Sequence, residues 1–244
     1  MFLAALVFLL VSTVGVCAQS GSLVIDKFSA EANGAIPDGW QQAWFNFSPK
    51  KTVYTVVKED GNSFLRGESK ASASAIYKEV SIDAGQYPIL TWKWKVSNTL
   101  SKGEEMTEEG DDYSARLYVS FEFRRDNASA FEMLKRSAIR TVYGKDLPGE
   151  TLVYVWANKL PKGEAVPNPD TAKAVMIAVE SGQEKAGKWM LEGRNVYEDY
   201  KKFFGSEPPI ITHIAVMTDT DNTGEEALAS YDDIVFHRST AVVK

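Results

Sequence analysis

Y-S-A-R-L-Y-V-S-F-E-F, residues 113–123, is the stretch that decides the fold. Tyr113, Ala115, Leu117, Val119, Phe121 and Phe123 alternate with Ser114, Arg116, Tyr118, Ser120 and Glu122. Successive side chains of a strand point to opposite faces, so this period of two describes a strand with one buried face and one polar face.

Working outward, the chain keeps this texture. Runs rich in β-branched and aromatic residues occupy 23–28, 52–57, 64–69, 75–80, 89–96, 152–157, 174–180, 188–194, 211–218 and 231–236. With 113–123 this makes about eleven strands, and E-D-G-N at 59–62 reads as a hairpin turn between two of them. Two segments carry helical spacing instead. Residues 128–142 place Phe131, Leu134, Ile139 and Val142 on one stripe after Asn127, and 196–204 place Val196, Tyr200, Phe203 and Phe204 between Asn195 and Gly205. The expected fold class is all-β: a jelly-roll-like antiparallel β-sandwich with two short helical insertions.

Composition sets the outer limits. The 244 residues are 44% hydrophobic and 25% charged, an ordinary globular balance that one sandwich domain accommodates. A net charge of −6 argues against nucleic acid as a partner, because neutralising phosphates needs a basic surface. Residues 2–16 are almost wholly apolar and lead into V-C-A-Q-S, where Val16 and Ala18 suit a signal peptidase. The expectation is a signal peptide over 1–18, a mature domain over 19–244 with no transmembrane segment, and a periplasmic or secreted location. No Lys or Arg precedes the apolar run, and a lipoprotein built on Cys17 is the alternative. Cleavage after Ala18 removes Cys17, the one cysteine, leaving no thiol for a disulfide, a zinc site or a nucleophile.

Alternation also nominates a binding face. Leu90, Trp92, Trp94 and Val96 read as core, against Lys93 on the other side of the same run. In 152–157, Val153 and Val155 read as internal, leaving Tyr154 and Trp156 outward; Trp189 and Leu191 oppose Glu192 and Arg194 in the same way. If these strands share a sheet, one surface carries Lys93, Arg116, Tyr118, Tyr154, Trp156, Glu192 and Arg194, with Glu122 beside them. Flat aromatic rings stack on the C–H faces of sugars while charged forks hold hydroxyls or acidic groups, so the expected partner is a glycan or similar polar small ligand. The bland reading is a set of solvated cross-strand ion pairs with aromatics covered by a helix.

The segment D-T-D-N-T-G-E, 219–225, invites comparison with a calcium loop. Asp219 and Asp221 suit the first and third positions, but Ser230 stands where the bidentate Glu of an EF-hand belongs, so an EF-hand is rejected. A turn in which Asp219 and Asn222 bond their own backbone is one reading, and calcium held by Asp219 and Asp221 is the other; no further cofactor is expected. His213 and His237 have no metal-ligating spacing, and G-x-S-x-G, Walker and dinucleotide motifs are absent.

L-V-Y-V-W-A-N, K-W-M-L-E-G-R-N-V-Y-E-D-Y-K-K-F-F-G, I-A-V-M-T-D-T-D-N-T-G and D-D-Y-S-A-R-L-Y-V together resemble the bacterial domain-of-unknown-function family 3047. That resemblance implies an exported, sandwich-like protein of Gram-negative bacteria and brings no activity or catalytic residue. I-D-K-F, P-D-G-W and the closing Y-D-D-I-V-F also resemble the first and last strands of carbohydrate-binding jelly rolls. The leading expectation is a non-catalytic glycan-binding module. The alternatives are an envelope polysaccharide lyase or hydrolase using Tyr118 and Glu192 as acid and base, and a structural or partner-binding envelope protein.

Overall fold

The structure, a computed structural model, describes residues 21–28, 36–43, 48, 50–125, 133, 148–169 and 171–238. The expected signal peptide at 1–18 and the helix expected over 128–142, apart from Met133, lie outside them. Among the described residues, no helix is long and apolar enough to cross a membrane.

Among the described residues, thirteen strands form two sheets: β1 (Ser22–Asp26), β2 (Gln41–Ala43), β3 (Val53–Glu59), β4 (Asn62–Lys70), β5 (Ala75–Ile82), β6 (Ile89–Val96), β7 (Ala115–Phe121), β8 (Thr151–Ala157), β9 (Ala165–Asn168), β10 (Thr171–Ser181), β11 (Met190–Asn195), β12 (Ile211–Met217) and β13 (Glu226–His237). The smaller sheet has six strands, in the order β11-β6-β13-β4-β3 with β1 also on β13; the larger has seven, in the order β2-β5-β12-β7-β8-β10-β9. The sandwich expected from alternation is therefore present. The two strands that sequence reading missed, β2 and β9, are the outermost of the larger sheet and only 3 and 4 residues long. Each is too short to show a period, and β9 contains Pro167, which a sheet tolerates at an edge. One pairing departs from the antiparallel expectation: β8 and β10 run parallel, joined through β9.

The core lies between the sheets. Trp92 and Trp94 of β6 are fully buried, as their alternation requires. Trp92 stacks on Tyr154 of β8 with centroids 5.3 Å apart, and Trp94 meets Trp156 at 6.0 Å. These contacts tie the sheets together, adding ~0.5–1.5 kcal/mol per pair to the area they bury. β13 keeps its apolar face inward only because it carries a bulge. Ala229, Tyr231, Ile234 and Phe236 all reach the core, so the alternation slips by one residue at Asp232-Asp233. The pairing with β6 shifts there, and Asp233 takes φ 48°. The doubled aspartate of Y-D-D-I-V-F is the sequence trace of that extra residue.

The second expected helix is present as α1 (Val196–Phe204). The Asn195 side chain accepts from the Glu198 N–H at 3.1 Å, and Gly205 ends the helix in the left-handed region. Tyr200 packs on Phe121 of the larger sheet, with centroids 4.4 Å apart.

Candidate functional site

Arg116, Tyr118 and Ser120 of β7 lie on the outer face of the larger sheet, as their alternation predicts, while Ala115, Leu117, Val119 and Phe121 enter the core. They line a cleft of about 630 Å³ together with Thr151 and Val153 of β8, Asn168 of β9, Thr171 and Ala174 of β10, and Met217 of β12. Its rim comes from two loops, one contributing Glu108 and Asp111 and the other Asp219, Asp221 and Asn222.

Those loops are fixed to each other and to the sheet. The buried Glu105 carboxylate accepts from the N–H groups of Asn158 and Lys159 at 2.6 and 2.9 Å, and the Asn158 side chain donates to the Asp112 carbonyl at 2.9 Å. At Gly110 a Cβ would meet the Glu104 backbone at 2.6 Å, so only glycine lets the first loop fold back this tightly. The second loop binds across to the first: Asp112 accepts from the Thr223 N–H at 2.6 Å, and Asn222 donates to the Glu108 carbonyl at 2.5 Å. The side chains expected to close their own turn instead reach over to the neighbouring loop. Asp219 accepts from the Tyr113 N–H at 3.3 Å and from Arg116.

Arg116 is the hub of this region. It is 4% exposed, pairs with Asp219 through two nitrogens and with Asp111 at 3.2 Å, and lies over the Tyr113 ring at 4.5 Å. Its bonds to the Asp219 and Asp111 carboxylates and to the Asp111 carbonyl use four of its five N–H donors. Carboxylates crowd here: one oxygen each from Asp112, Asp219 and Asp221 lie within 4.8 Å of one another. Burial, reinforced by Asp112 and Asp111, pushes the Asp219 carboxyl up, and the Arg116 guanidinium beside it opposes that shift. Burial and then Asp112 push Asp221 in the same direction.

The residues expected to share one binding surface do not. Arg116 and Tyr118 reach the cleft, whereas Tyr154 and Trp156 point the other way, into the core. Their sidedness was reversed because β8 is buried on both faces. Val153 and Val155 sit in a separate apolar cluster with Tyr113, Met176 and Ala178, and the larger aromatic rings take the space between the sheets. β11 is reversed likewise: Leu191 is 62% exposed, while Glu192 and Arg194 turn inward. Glu192 accepts from the Trp94 indole at 3.3 Å, and burial pushes its pKa up to about 7. Arg194 is held by Asp199 of α1 at 2.5 and 2.9 Å, and Tyr154 donates to the same carboxylate at 2.9 Å. Lys93 is on the smaller sheet, paired with Asp233 at 2.7 Å. Glu122 follows β7 and is absent from the cleft lining. Tyr118 and Glu192, the expected acid and base, are in different sheets.

Sequence reasoning missed Asp112, Asn168, Thr171 and Thr151. Ser120 was already on the polar side of 113–123, and Asp111-Asp112 directly precedes that run, so proximity to Arg116 was the available signal. Asn168 and Thr171 come from the short edge hairpin, where no period exists to read.

No curated protein matches this chain. Among solved structures it is similar to a family 29 carbohydrate binding module, at 9% identity and TM-score 0.36 over 89% of this chain and 88% of that one. It is also similar to CBM28, a module specific for non-crystalline cellulose, at 13% identity and TM-score 0.39 over 88% and 94%. An exo-beta-agarase is similar at 8% identity and TM-score 0.36, over 88% of this chain and 25% of that one. At TM-scores below 0.5 these likenesses say nothing of what this chain binds. A family model covers most of the sequence, residues 38–235, and by it the chain belongs to the family described as Protein of unknown function (DUF3047).

Proposed function

We propose that this protein is an exported, non-catalytic module that binds a glycan or similar polar small ligand in the cleft of the larger sheet. The observation that carries the reading is the lining of that cleft. Hydroxyl and amide groups of Ser120, Thr151, Asn168 and Thr171 alternate with the apolar surfaces of Tyr118, Val153, Ala174 and Met217. A sugar ring offers the same mixture of hydroxyls and C–H faces. The charge of the rim refines the class. Glu108, Asp111, Asp219 and Asp221 outnumber the single arginine, which is buried and already paired with two of them, so a neutral ligand is favoured over a uronic or sulfated one. The lyase or hydrolase alternative loses support, because its two residues belong to different sheets. The apolar segment 2–16 supports export.

The test is a glycan array followed by calorimetry on the best neutral oligosaccharide. Tyr118→Ala and Asn168→Ala are each expected to weaken binding about tenfold, the scale of one stacking or hydrogen-bonding contact. Leu191→Ala, on the other sheet, leaves affinity unchanged. Silence across the array, or equal losses in all three variants, would sink the reading.

A further inference from the structure

We propose that Asp112, Asp219 and Asp221 form a calcium site that joins the two rim loops. Two independent features point to a cation. The first is the convergence of one oxygen from each residue within 4.8 Å. Oxygens on either side of a calcium ion at about 2.4 Å lie no more than about 4.8 Å apart, so the spacing admits the ion. The second is Asp112 itself, which is fully buried, with one carboxylate oxygen held by the Thr223 N–H and the other, Oδ1, without any hydrogen-bond partner. A buried carboxylate oxygen with no donor is costly, and a cation is what such an oxygen accepts in place of an N–H or O–H.

Charge balance agrees. Arg116 is committed to Asp111 and Asp219, while Asp112 and Asp221 make no ion pair among the described residues. The donors are all carboxylate oxygens, a hard set that suits calcium rather than zinc or copper. The mismatch of 219–230 with an EF-hand does not weigh against it. The third ligand comes from the preceding loop, on the far side of β7 in sequence, so no contiguous calcium motif is needed.

The site is tested on the full chain stripped with chelator, by calorimetric titration with calcium chloride and by thermal melting. Calcium at about a hundredfold excess over Kd is expected to raise Tm by roughly 5 °C. Asp112→Asn and Asp221→Asn are each expected to weaken calcium binding at least tenfold. Asn at 112 can still accept from Thr223 N–H, so in chelator that variant melts at or above the unsubstituted chain. Neither readout involves a glycan, so loss of the glycan reading would leave it standing. Titration without heat, a Tm unmoved by calcium, a calcium response retained in both variants, or an equal response to magnesium chloride would each overturn the assignment.

Discussion

Removing the Arg116 guanidinium leaves Asp219 buried without its cation, and that loss exceeds any contact the arginine makes. Arg116→Met is expected to destabilise the fold by ~3–5 kcal/mol, read as a lower urea midpoint in chelator. Adding Asp219→Asn recovers part of it, because the orphaned charge is then gone. Glu192 supplies a second test, through pH. Its carboxyl, normally near 4.5, is pushed to about 7 by burial, so between those values the folded chain holds a proton that the unfolded chain has released. Stability therefore falls as pH rises through this window and is flat above it, by ~1–3 kcal/mol in all. Melting curves from pH 4.5 to 8 should show the fall, and Glu192→Gln should remove its own share of it, leaving the share due to Asp219. Both residues were legible as polar members of alternating strands, but not as buried ones. Period two says which side chains share a face, and it does not say whether a loop or a second sheet covers that face.

The elements divide in the same way. α1 was readable in full, since its cap, stripe and terminating glycine are local features. Asn195→Ala is expected to cost ~1 kcal/mol through loss of the Glu198 N–H acceptor, measured by chemical denaturation with the m-value unchanged. β7 was also readable, because one of its faces is polar throughout. β8 was not: L-V-Y-V-W-A is apolar at every position, so alternation offers no sign of which side is which. Its parallel partner β10 and the cluster around Tyr113 bury the outer face, and the choice falls to ring size against the space between the sheets. β11 misled for another reason. It is an edge strand that leaves Leu191 outward and brings Arg194 to Asp199, a residue five positions on that only the following helix returns to it.

At the scale of the molecule, the sandwich was visible in the spacing of its strands, whereas the cleft depends on which strands become neighbours. Thr151, Asn168 and Met217 meet only because β12, β7, β8, β10 and β9 are adjacent in the larger sheet. The smaller sheet has its own dependence on order. β13, the last strand, lies between β6 on one side and β4 and β1 on the other. As the chain emerges from its N-terminal end, β1, β4 and β6 are complete long before the strand that joins them exists. Closing those ladders is a late, long-range step, the kind that slows folding and exposes bare edges meanwhile. A nascent chain cannot complete the smaller sheet until β13 has been made, and under the proposed export that delay keeps it unfolded while it is threaded across a membrane.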